Sequence, residues 1–443
     1  MQLPLIKIGH SLKLIALIMV LSFLNSCNKF DLFPHHDNNN KPEESADVLY
    51  DWYKLGARMQ LYTIPGPAVP TNNRAFGYIG VGVYEAVQPG IKGSKSLTSA
   101  LYQMAPMPTP EAHKDYLWGA SANAALASMF RQFLAGLTDA NKASIDSLEN
   151  AYNNRYKLST SDAVISRSQA FGRAVATAIY NWSTTDNFSL SATGYVLPVF
   201  PGSWVPTPPA FAPPVGPFLK DSRPFLQSSL NWEIPPLPFV YSEHPSSEFY
   251  KANKEVYDIG RALTAEQKAI ANFWADVGGV GLGFPGPHHI ISIITDVLKS
   301  QKAKLGQAAQ IYARTGIAFK ESFYIIWKIK FHHNLLRPVT YINKLINAEW
   351  QSYLPTPPYP DFPSGLSGVY TSNMQILIRE FGNIPVTDAT YAVPRHYPSL
   401  SALIEEAAIS RLYAGIHYRV TQNVTIVIGK QLGNRIADIK LGP

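Results

Sequence analysis

The chain has 443 residues, of which 46% are apolar and 12% aromatic, whereas only 16% carry a charge. A composition so apolar and so poor in charge excludes a disordered chain and a coiled coil, and the length predicts one large domain or two fused ones. The formal net charge of +7 is spread along the chain without a long basic run, so nucleic acid is not an expected partner.

Residues 1–26 have the pattern of a signal peptide. Lys7 and Lys13 precede an apolar run over residues 14–21, and small or polar residues follow it. A short basic start and a short apolar stretch are typical of a secretory signal, and the stretch is too short to span a bilayer comfortably. The sequence therefore predicts an exported protein.

The only cysteine of the chain, Cys27, directly follows this segment. The run Leu24-Asn25-Ser26-Cys27 resembles the lipobox of bacterial lipoproteins. The resemblance implies cleavage before Cys27 and a membrane anchor through lipid on that residue, in the bacterial cell envelope and facing the periplasm or the outer surface. An ordinary signal peptide with a spare thiol is the alternative. Residues 27–47 are polar and are expected to form a tether.

Apolar residues recur at helical spacing through most of the chain and predict an all-α fold. The predicted helices cover residues 75–87, 117–134, 139–156, 163–182, 264–276, 289–302, 306–336, 340–354, 366–381, 399–413 and 423–439, with a further helical pattern from about residue 247. Residues 198–238 include 12 prolines among several aromatic residues. This spacing excludes helix and regular sheet and predicts a long loop fixed on the helical body by its aromatic side chains. A proline-rich ligand for a partner domain is the alternative.

We predict two folded regions. Residues 48–246 form an N-terminal helical region that contains the proline-rich loop, and residues 247–443 form a more regular C-terminal helical domain. Three short motifs in this second region carry residue types suited to chemistry.

The first motif contains Lys330 and Arg337, which are seven positions apart. Two turns of helix separate them, so both cations are expected on one face of a helix that Pro338 ends. Two cations beside an apolar helix are expected to bind an anion, because burying an unpaired charge costs free energy. A solvated helix face is the plainer interpretation.

The second motif, Pro363-Ser364-Gly365, precedes a helical run. Backbone N–H groups at the start of a helix can bind a phosphate-like group, although the same residues would also serve simply as an N-cap. The third motif contains Arg411, Gly415 and His417. Arg411 can form a fork of hydrogen bonds to an oxyanion, and His417 can attack or ligate the bound group.

The order and spacing of the three motifs resemble the superfamily of vanadium-dependent haloperoxidases and type 2 phosphatidic acid phosphatases. The runs Tyr84-Glu85-Ala86-Val87 and Arg337-Pro338-Val339-Thr340 also resemble its secreted bacterial lipoprotein branch. The resemblance implies a haloperoxidase-like helical bundle whose pocket holds phosphate or vanadate, with no other metal. It suggests a homodimer.

Carried over to this sequence, the resemblance gives each motif residue a role in the pocket. Lys330, Arg337 and Arg411 would bind the oxygens of the anion, and Ser364 and Gly365 would add hydrogen bonds. His417 would be the phosphatase nucleophile, or the axial ligand of vanadium if vanadate is bound.

Two positions depart from the pattern of the superfamily. Leu366 stands where the superfamily has a histidine that acts as an acid and base, and Thr421 stands where it has an aspartate that orients the nucleophilic histidine. Losing a general acid costs about a hundredfold to ten-thousandfold in rate. We therefore expect impaired activity, and we expect Leu366→His together with Thr421→Asp to restore it.

Other histidines are candidates to replace the missing acid. They are His288, His289, His332, His333 and His396. The first two, which follow Pro285-Gly286-Pro287, resemble a Pro-Gly-His stretch of the same branch and are the first candidates. A structural histidine is the plainer interpretation of each.

Three hypotheses about function follow. The protein is a phosphatase or a vanadate-dependent haloperoxidase, or a pseudoenzyme that binds a small oxyanion or a phosphorylated ligand without turning it over, or an envelope protein whose proline-rich segment contacts a partner.

Overall fold

A computed structural model describes residues 43–61, 69–134, 136–279 and 283–442. In these ranges it contains thirteen α-helices and two small antiparallel β-hairpins. The helices are α1 Asp47–Leu61, α2 Val69–Val87, α3 Trp118–Phe133, α4 Asp139–Tyr156, α5 Asp162–Ser183, α6 Glu248–Arg261, α7 Ala265–Phe273, α8 Gly286–Ser300, α9 Leu305–His333, α10 Pro338–Leu345, α11 Gly365–Phe381, α12 Leu400–Tyr413 and α13 Arg419–Ala437. The strands are β1 Val277–Gly279, β2 Gly283–Pro285, β3 Val386–Asp388 and β4 Arg395–Tyr397. The all-α prediction is confirmed.

The long helix α9 connects the two halves of the helical body. It packs against α2 in the first half, where α3 and α5 also pack together, and against α11 in the second half, which in turn packs on α12 and α13. Helices α6, α7, α11 and α12 begin at a serine or threonine N-cap residue, and Thr264 forms a complete capping box with Gln267. These caps satisfy N–H groups that have no partner inside the helix.

Glycines allow α2 and α9 to approach closely. A Cβ atom on Gly80 would lie 2.3 Å from the backbone oxygen of Tyr312, and one on Gly316 would lie 3.1 Å from the Cα of Gly80. Real side chains do not fit at such distances, so glycine is required on both helices for this crossing. The close contact fixes the position of α9, whose last turn carries Lys330.

The proline-rich segment is an irregular loop that lies on the helical body, as predicted. Trp204 is fully buried, and its backbone N–H donates a hydrogen bond to the oxygen of Asn334 at 2.6 Å. Farther along the loop, the oxygen of Val215 accepts a hydrogen bond from Nε1 of Trp327 at 2.9 Å. Not every aromatic residue is buried, since Phe211 is 62% exposed. The loop therefore supports the end of α9 from outside.

The described chain begins with residues that attach to the folded body. Ser45 forms a β-bridge with Lys304, and the carboxylate of Glu44 accepts hydrogen bonds from the N–H groups of Trp118 and Gly119 at the start of α3. A negative charge is stabilising at this end of a helix. Residues 43–47, which the sequence assigned to the tether, are thus part of the body. The predicted signal peptide and Cys27 lie outside the described residues.

Residues 43–443 form one compact unit. The division proposed between residues 246 and 247 stays a prediction. No helix in the described ranges is both long enough and apolar enough to cross a membrane.

Candidate oxyanion site

Three motifs that are distant in the sequence meet at the end of α9. Helix α9 ends at His333, because Asn334 adopts a left-handed conformation with φ of 48° and its N–H donates to the oxygen of Lys330. Arg337 is therefore not on the same helix face as Lys330, contrary to the prediction. It is the N-cap residue of α10, with Pro338 in the first position of that helix. The two cations converge because the chain turns between them.

A carboxylate holds His417 in one orientation. Nδ1 of His417 lies 2.8 Å from Oδ1 of Asp361, and the hydroxyl of Thr421 donates to Oδ2 of the same carboxylate at 2.6 Å. All three side chains are buried. Because a carboxylate accepts hydrogen bonds, the proton of the imidazole is on Nδ1, and Nε2 keeps its lone pair.

The motifs in the sequence predict no orienting carboxylate, because position 421 carries threonine, and they give no role to Asp361. Asp361 precedes Ser364 by three residues, and its side chain reaches the position that an aspartate at 421 would serve. An acidic residue so close to the second motif was the available signal. The prediction that the orienting group is missing is therefore wrong.

The free nitrogen of His417 faces a guanidinium group. Nη1 of Arg337 donates to the oxygen of Ile416 at 2.8 Å and toward Nε2 of His417 at 3.2 Å, and its Nε donates to the oxygen of Tyr359 at 2.8 Å. The remaining nitrogen of Arg337, Nη2, is buried and has no hydrogen-bond partner among the described residues. A buried donor without a partner, beside a lone pair, is suited to an oxygen-rich ligand.

Lys330 is fully buried and faces the same segment. Its ammonium donates to the oxygens of Pro360 and Asp361 at 2.6 and 2.9 Å, which uses two of its three N–H groups. Burial and the charge of Arg337 lower the pKa of Lys330 well below its ordinary value. An anion beside both cations would favour their charged forms, so the site has a built-in affinity for negative charge.

Ser364 and Gly365 begin helix α11, as the motif predicted. Ser364 is the N-cap residue, and its hydroxyl lies 3.1 Å from that of Ser367. The N–H of Ser364 donates to the hydroxyl of Thr425 at 2.9 Å, which ties α11 to α13. A Cβ atom on Gly365 would meet only the ring of Trp327, at 3.7 Å. The capping role is thus visible, and a role in binding an anion stays a prediction.

Arg411 lies in the last turn of α12 and is nearly fully buried. Its Nη1 donates to the backbone oxygen of Trp274, and burial lowers its pKa while the charge of Asp276 raises it. Gly415, with φ of +76°, then turns the chain, and His417 lies six positions after Arg411. Arg411 thus stands between the His417 site and a second group of buried charges.

This second group surrounds His289. Its Nδ1 lies 2.8 Å from Oδ1 of Asp276, and its Nε2 lies 2.7 Å from Oδ2 of Asp388. The ring of Trp274 stacks on the imidazole at 4.9 Å. Burial lowers the pKa of His289, but the two carboxylates outweigh this effect and raise the pKa to about 9. With both nitrogens engaged, His289 is a structural cation that cannot also act on a ligand.

The other candidate histidines also lie elsewhere. His288 is buried edge-on against Phe76, and neither of its nitrogens has a partner among the described residues. His333 binds the oxygen of Pro235, while His332 and His396 are exposed. In the described part of the chain none of them forms a hydrogen bond or ring contact with His417. Leu366 is half-buried in the first turn of α11 and contributes no ionisable group.

The chain is similar to known proteins in part of its sequence and in its fold. Residues 310–440 match the family model described as the VCPO second helical-bundle domain. The structure is similar to that of a bacterial vanadium-dependent iodoperoxidase, with a TM-score of 0.80 and 28% sequence identity over 91% of this chain and 98% of the other. No curated protein sequence matches the chain.

Two structures of a bacterial vanadium-dependent chloroperoxidase share the fold. The holo-type structure has a TM-score of 0.66 and 17% identity over 90% of this chain and 98% of the other. The apo-type structure has a TM-score of 0.68 and 16% identity over 90% and 99%.

Fold and site together define a helical protein with a buried cluster of cations around a histidine. The chain thus has the helical fold of bacterial vanadium-dependent haloperoxidases, and its residues 310–440 match one domain of that family.

Proposed function

We propose that this protein binds vanadate at His417 and uses it to oxidise a halide, iodide first, with hydrogen peroxide. The observation that carries the proposal is the state of His417. Asp361 fixes its proton on Nδ1, and its Nε2 lone pair lies beside Arg337, whose Nη2 has no partner among the described residues. A neutral imidazole with a directed lone pair is what a metal ligand requires.

The charges around His417 fit a tetrahedral oxyanion. Burial lowers the pKa of His417 to about 3, against the opposing effect of Asp361, so the ring stays neutral at any pH at which the protein would work. Arg337 supplies positive charge beside Nε2, and the ammonium of Lys330 lies at the backbone oxygens of Pro360 and Asp361. Bound vanadate would supply a Lewis acid that activates peroxide.

In this mechanism the residues of the chain have separate tasks. His417 would hold the vanadate through Nε2, and Asp361 keeps the tautomer and direction of the imidazole with help from Thr421. Arg337 and Lys330 neutralise charge on the oxygens through donors that are already in place. The apolar helices around the pocket keep out bulk water, which strengthens these interactions.

Iodide is the preferred halide because it gives up electrons more readily than bromide or chloride and therefore needs the least activation. Leu366 leaves the site without the usual histidine acid, which weakens activation of peroxide. The similarity to a bacterial iodoperoxidase supports the same choice. Phosphate-ester hydrolysis is the alternative reaction at the same site, since it too needs an acid that protonates the leaving group.

The test is calorimetric titration of orthovanadate into the full-length chain, followed by an assay of peroxide-dependent triiodide formation. We expect saturable binding, with activity only after vanadate is added. His417→Ala should abolish both, while His396→Ala, at an exposed histidine, should change neither. Absence of vanadate binding by the wild-type chain would refute the proposal.

Other outcomes of the same test point to the alternative functions. Binding of vanadate or phosphate without iodide oxidation would replace the enzyme by a non-catalytic oxyanion-binding protein. Release of phosphate from 4-nitrophenyl phosphate, without iodide oxidation, would instead indicate a phosphatase. If no oxyanion binds, the role in the envelope through the proline-rich loop becomes the leading hypothesis.

We also propose that the protein is anchored in the cell envelope through lipid on Cys27. The support is the run Leu24-Asn25-Ser26-Cys27, in a segment outside the described residues. Metabolic labelling with a fatty-acid analogue should modify the wild-type chain and not Cys27→Ala. Labelling of both chains, or of neither, would contradict the anchor.

A further inference from the structure

Tyr359 lies in the segment between α10 and α11, directly beside the cations of the site. Nζ of Lys330 and Cζ of Arg337 each lie 5.1 Å from the centroid of its ring. The ring of Trp327 packs against it with a centroid separation of 4.9 Å. The backbone oxygen of Tyr359 accepts the hydrogen bond from Nε of Arg337. Residues of the proposed vanadate pocket therefore hold this side chain in place.

The hydroxyl of Tyr359 is influenced by two guanidinium groups. Burial raises its pKa above the ordinary value, while the charges of Arg337 and Arg411 lower it. The side chain is half-buried, and its hydroxyl forms no hydrogen bond with any of the described residues. A phenol in this setting keeps its proton at neutral pH and has a free O–H to donate. The group is thus a neutral phenol whose ring packs against the two cations that would bind the anion.

We infer that Tyr359 donates the proton in halide oxidation, in place of the histidine that the superfamily carries at position 366. The inference rests on the function proposed above. Two observations support it. Leu366 has no proton to give, and none of the candidate histidines contacts His417 in the described part of the chain. Among the residues that touch Lys330 and Arg337, Tyr359 has an O–H group that is not otherwise used.

The assigned step balances in atoms and electrons. Hydrogen peroxide, iodide and one proton give hypoiodous acid and water. Iodide attacks one peroxide oxygen, so the I–O bond forms as the O–O bond breaks, and iodide loses two electrons to peroxide. The proton of the Tyr359 hydroxyl goes to the departing oxygen, which leaves as water. Solvent then returns a proton to the phenolate, whose charge Arg337 and Arg411 stabilise in the meantime.

The test compares Tyr359→Phe with Tyr353→Phe, which removes a hydroxyl from the same segment. Tyr353 is 38% exposed and accepts a hydrogen bond only from the side chain of Asn272, among the described residues. For Tyr359→Phe we expect kcat for iodide oxidation to fall about a hundredfold to ten-thousandfold. Its orthovanadate affinity, measured by calorimetry, should fall about tenfold because a hydrogen bond to a charged ligand is lost. Tyr353→Phe should match the wild type in both measurements.

A rescue experiment separates proton donation from a structural role. Adding Leu366→His to Tyr359→Phe places the usual acid at its superfamily position and should recover kcat at least in part, with a pH dependence that follows an imidazole. An unchanged kcat in Tyr359→Phe, whatever its vanadate affinity, would overturn the inference and leave the proposed function intact. If the wild-type chain binds no vanadate, the proposed function itself fails, so the two failures are distinguishable.

Discussion

Asp361 lies 56 positions before His417 in the chain, yet its carboxylate is 2.8 Å from Nδ1 of that histidine. Thr421 stands where the superfamily has the orienting aspartate, and it supports this carboxylate with a hydrogen bond of 2.6 Å. The carboxylate that orients His417 thus comes from the segment before α11 and not from α13. The first prediction tests whether the carboxylate of Asp361 orients His417.

Asp361→Asn should weaken orthovanadate binding about 10- to 100-fold, because the amide no longer fixes the tautomer of His417. Calorimetric titration measures the change directly. Asp258→Asn, which alters an exposed carboxylate paired with Lys254, is the matched control and should bind as the wild type does. Equal affinity in Asp361→Asn and the wild type would show that Asp361 has no orienting role.

Thr421→Asp should harm the protein, contrary to the expectation from the sequence that it helps restore activity. It would place a second carboxylate against Asp361 in a fully buried position, and an uncompensated buried charge costs about 3 kcal/mol or more. Urea unfolding should show the loss of stability. The double variant Asp361→Asn with Thr421→Asp should regain both stability and vanadate affinity, since it returns the carboxylate to helix α13. Failure of the double variant to improve on either single one would contradict this.

His288→Leu should stabilise the protein at acidic pH. Neither nitrogen of His288 has a partner in the described structure, and burial lowers its pKa to about 3. Below pH 6.5 the unfolded chain takes up a proton that the folded chain cannot, so this group costs stability increasingly as the pH falls towards 3. The variant lacks that cost. It also lacks the buried polar group without a partner, whose removal should stabilise the folded chain by about 1–3 kcal/mol. Urea unfolding at pH 7 and pH 5 should show a larger gain at pH 5, and a gain that is equal at both would refute the explanation.

His289 should make stability depend on pH in the opposite sense. Its pKa is raised to about 9 by Asp276 and Asp388, so the folded chain holds a proton that the unfolded chain releases above pH 6.5. The stabilisation is complete below pH 6.5 and is lost as the pH rises through 9, by on the order of 3 kcal/mol. The measurement is the free energy of unfolding at pH 6.5 and pH 9.5.

The matched variants for this pH dependence are His289→Gln and His396→Gln. His289→Gln should be less stable than the wild type at pH 6.5 and should lose much of the decline between the two pH values. His396→Gln, at an exposed histidine, should keep the decline. A wild-type free energy of unfolding that does not decrease above pH 6.5 would show that His289 is not held as a cation.

The sequence by itself determined the helical fold and the members of the anion site. Helical spacing and hydroxyl caps are local properties, which is why α4, Asp139–Tyr156, was predicted to the residue. The ends of helices were less accurate where no local signal marks them. Helix α1, Asp47–Leu61, was not predicted at all. Lys330, Arg337 and His417 were identified because the spacing within each motif is a property of the sequence.

Only the tertiary structure decided how those residues work together. Asp361 and Tyr359 belong to a segment whose path is set by hydrogen bonds from Lys330 and Arg337, so their roles depend on contacts between distant parts of the chain. The sequence showed Thr421 as a lost aspartate, but it could not show that a carboxylate from elsewhere fills the same place. Motif spacing determines which side chains are available. The packing of α9 against its neighbours determines which of them meet, because a hydrogen bond depends on distance in space and not on distance along the chain.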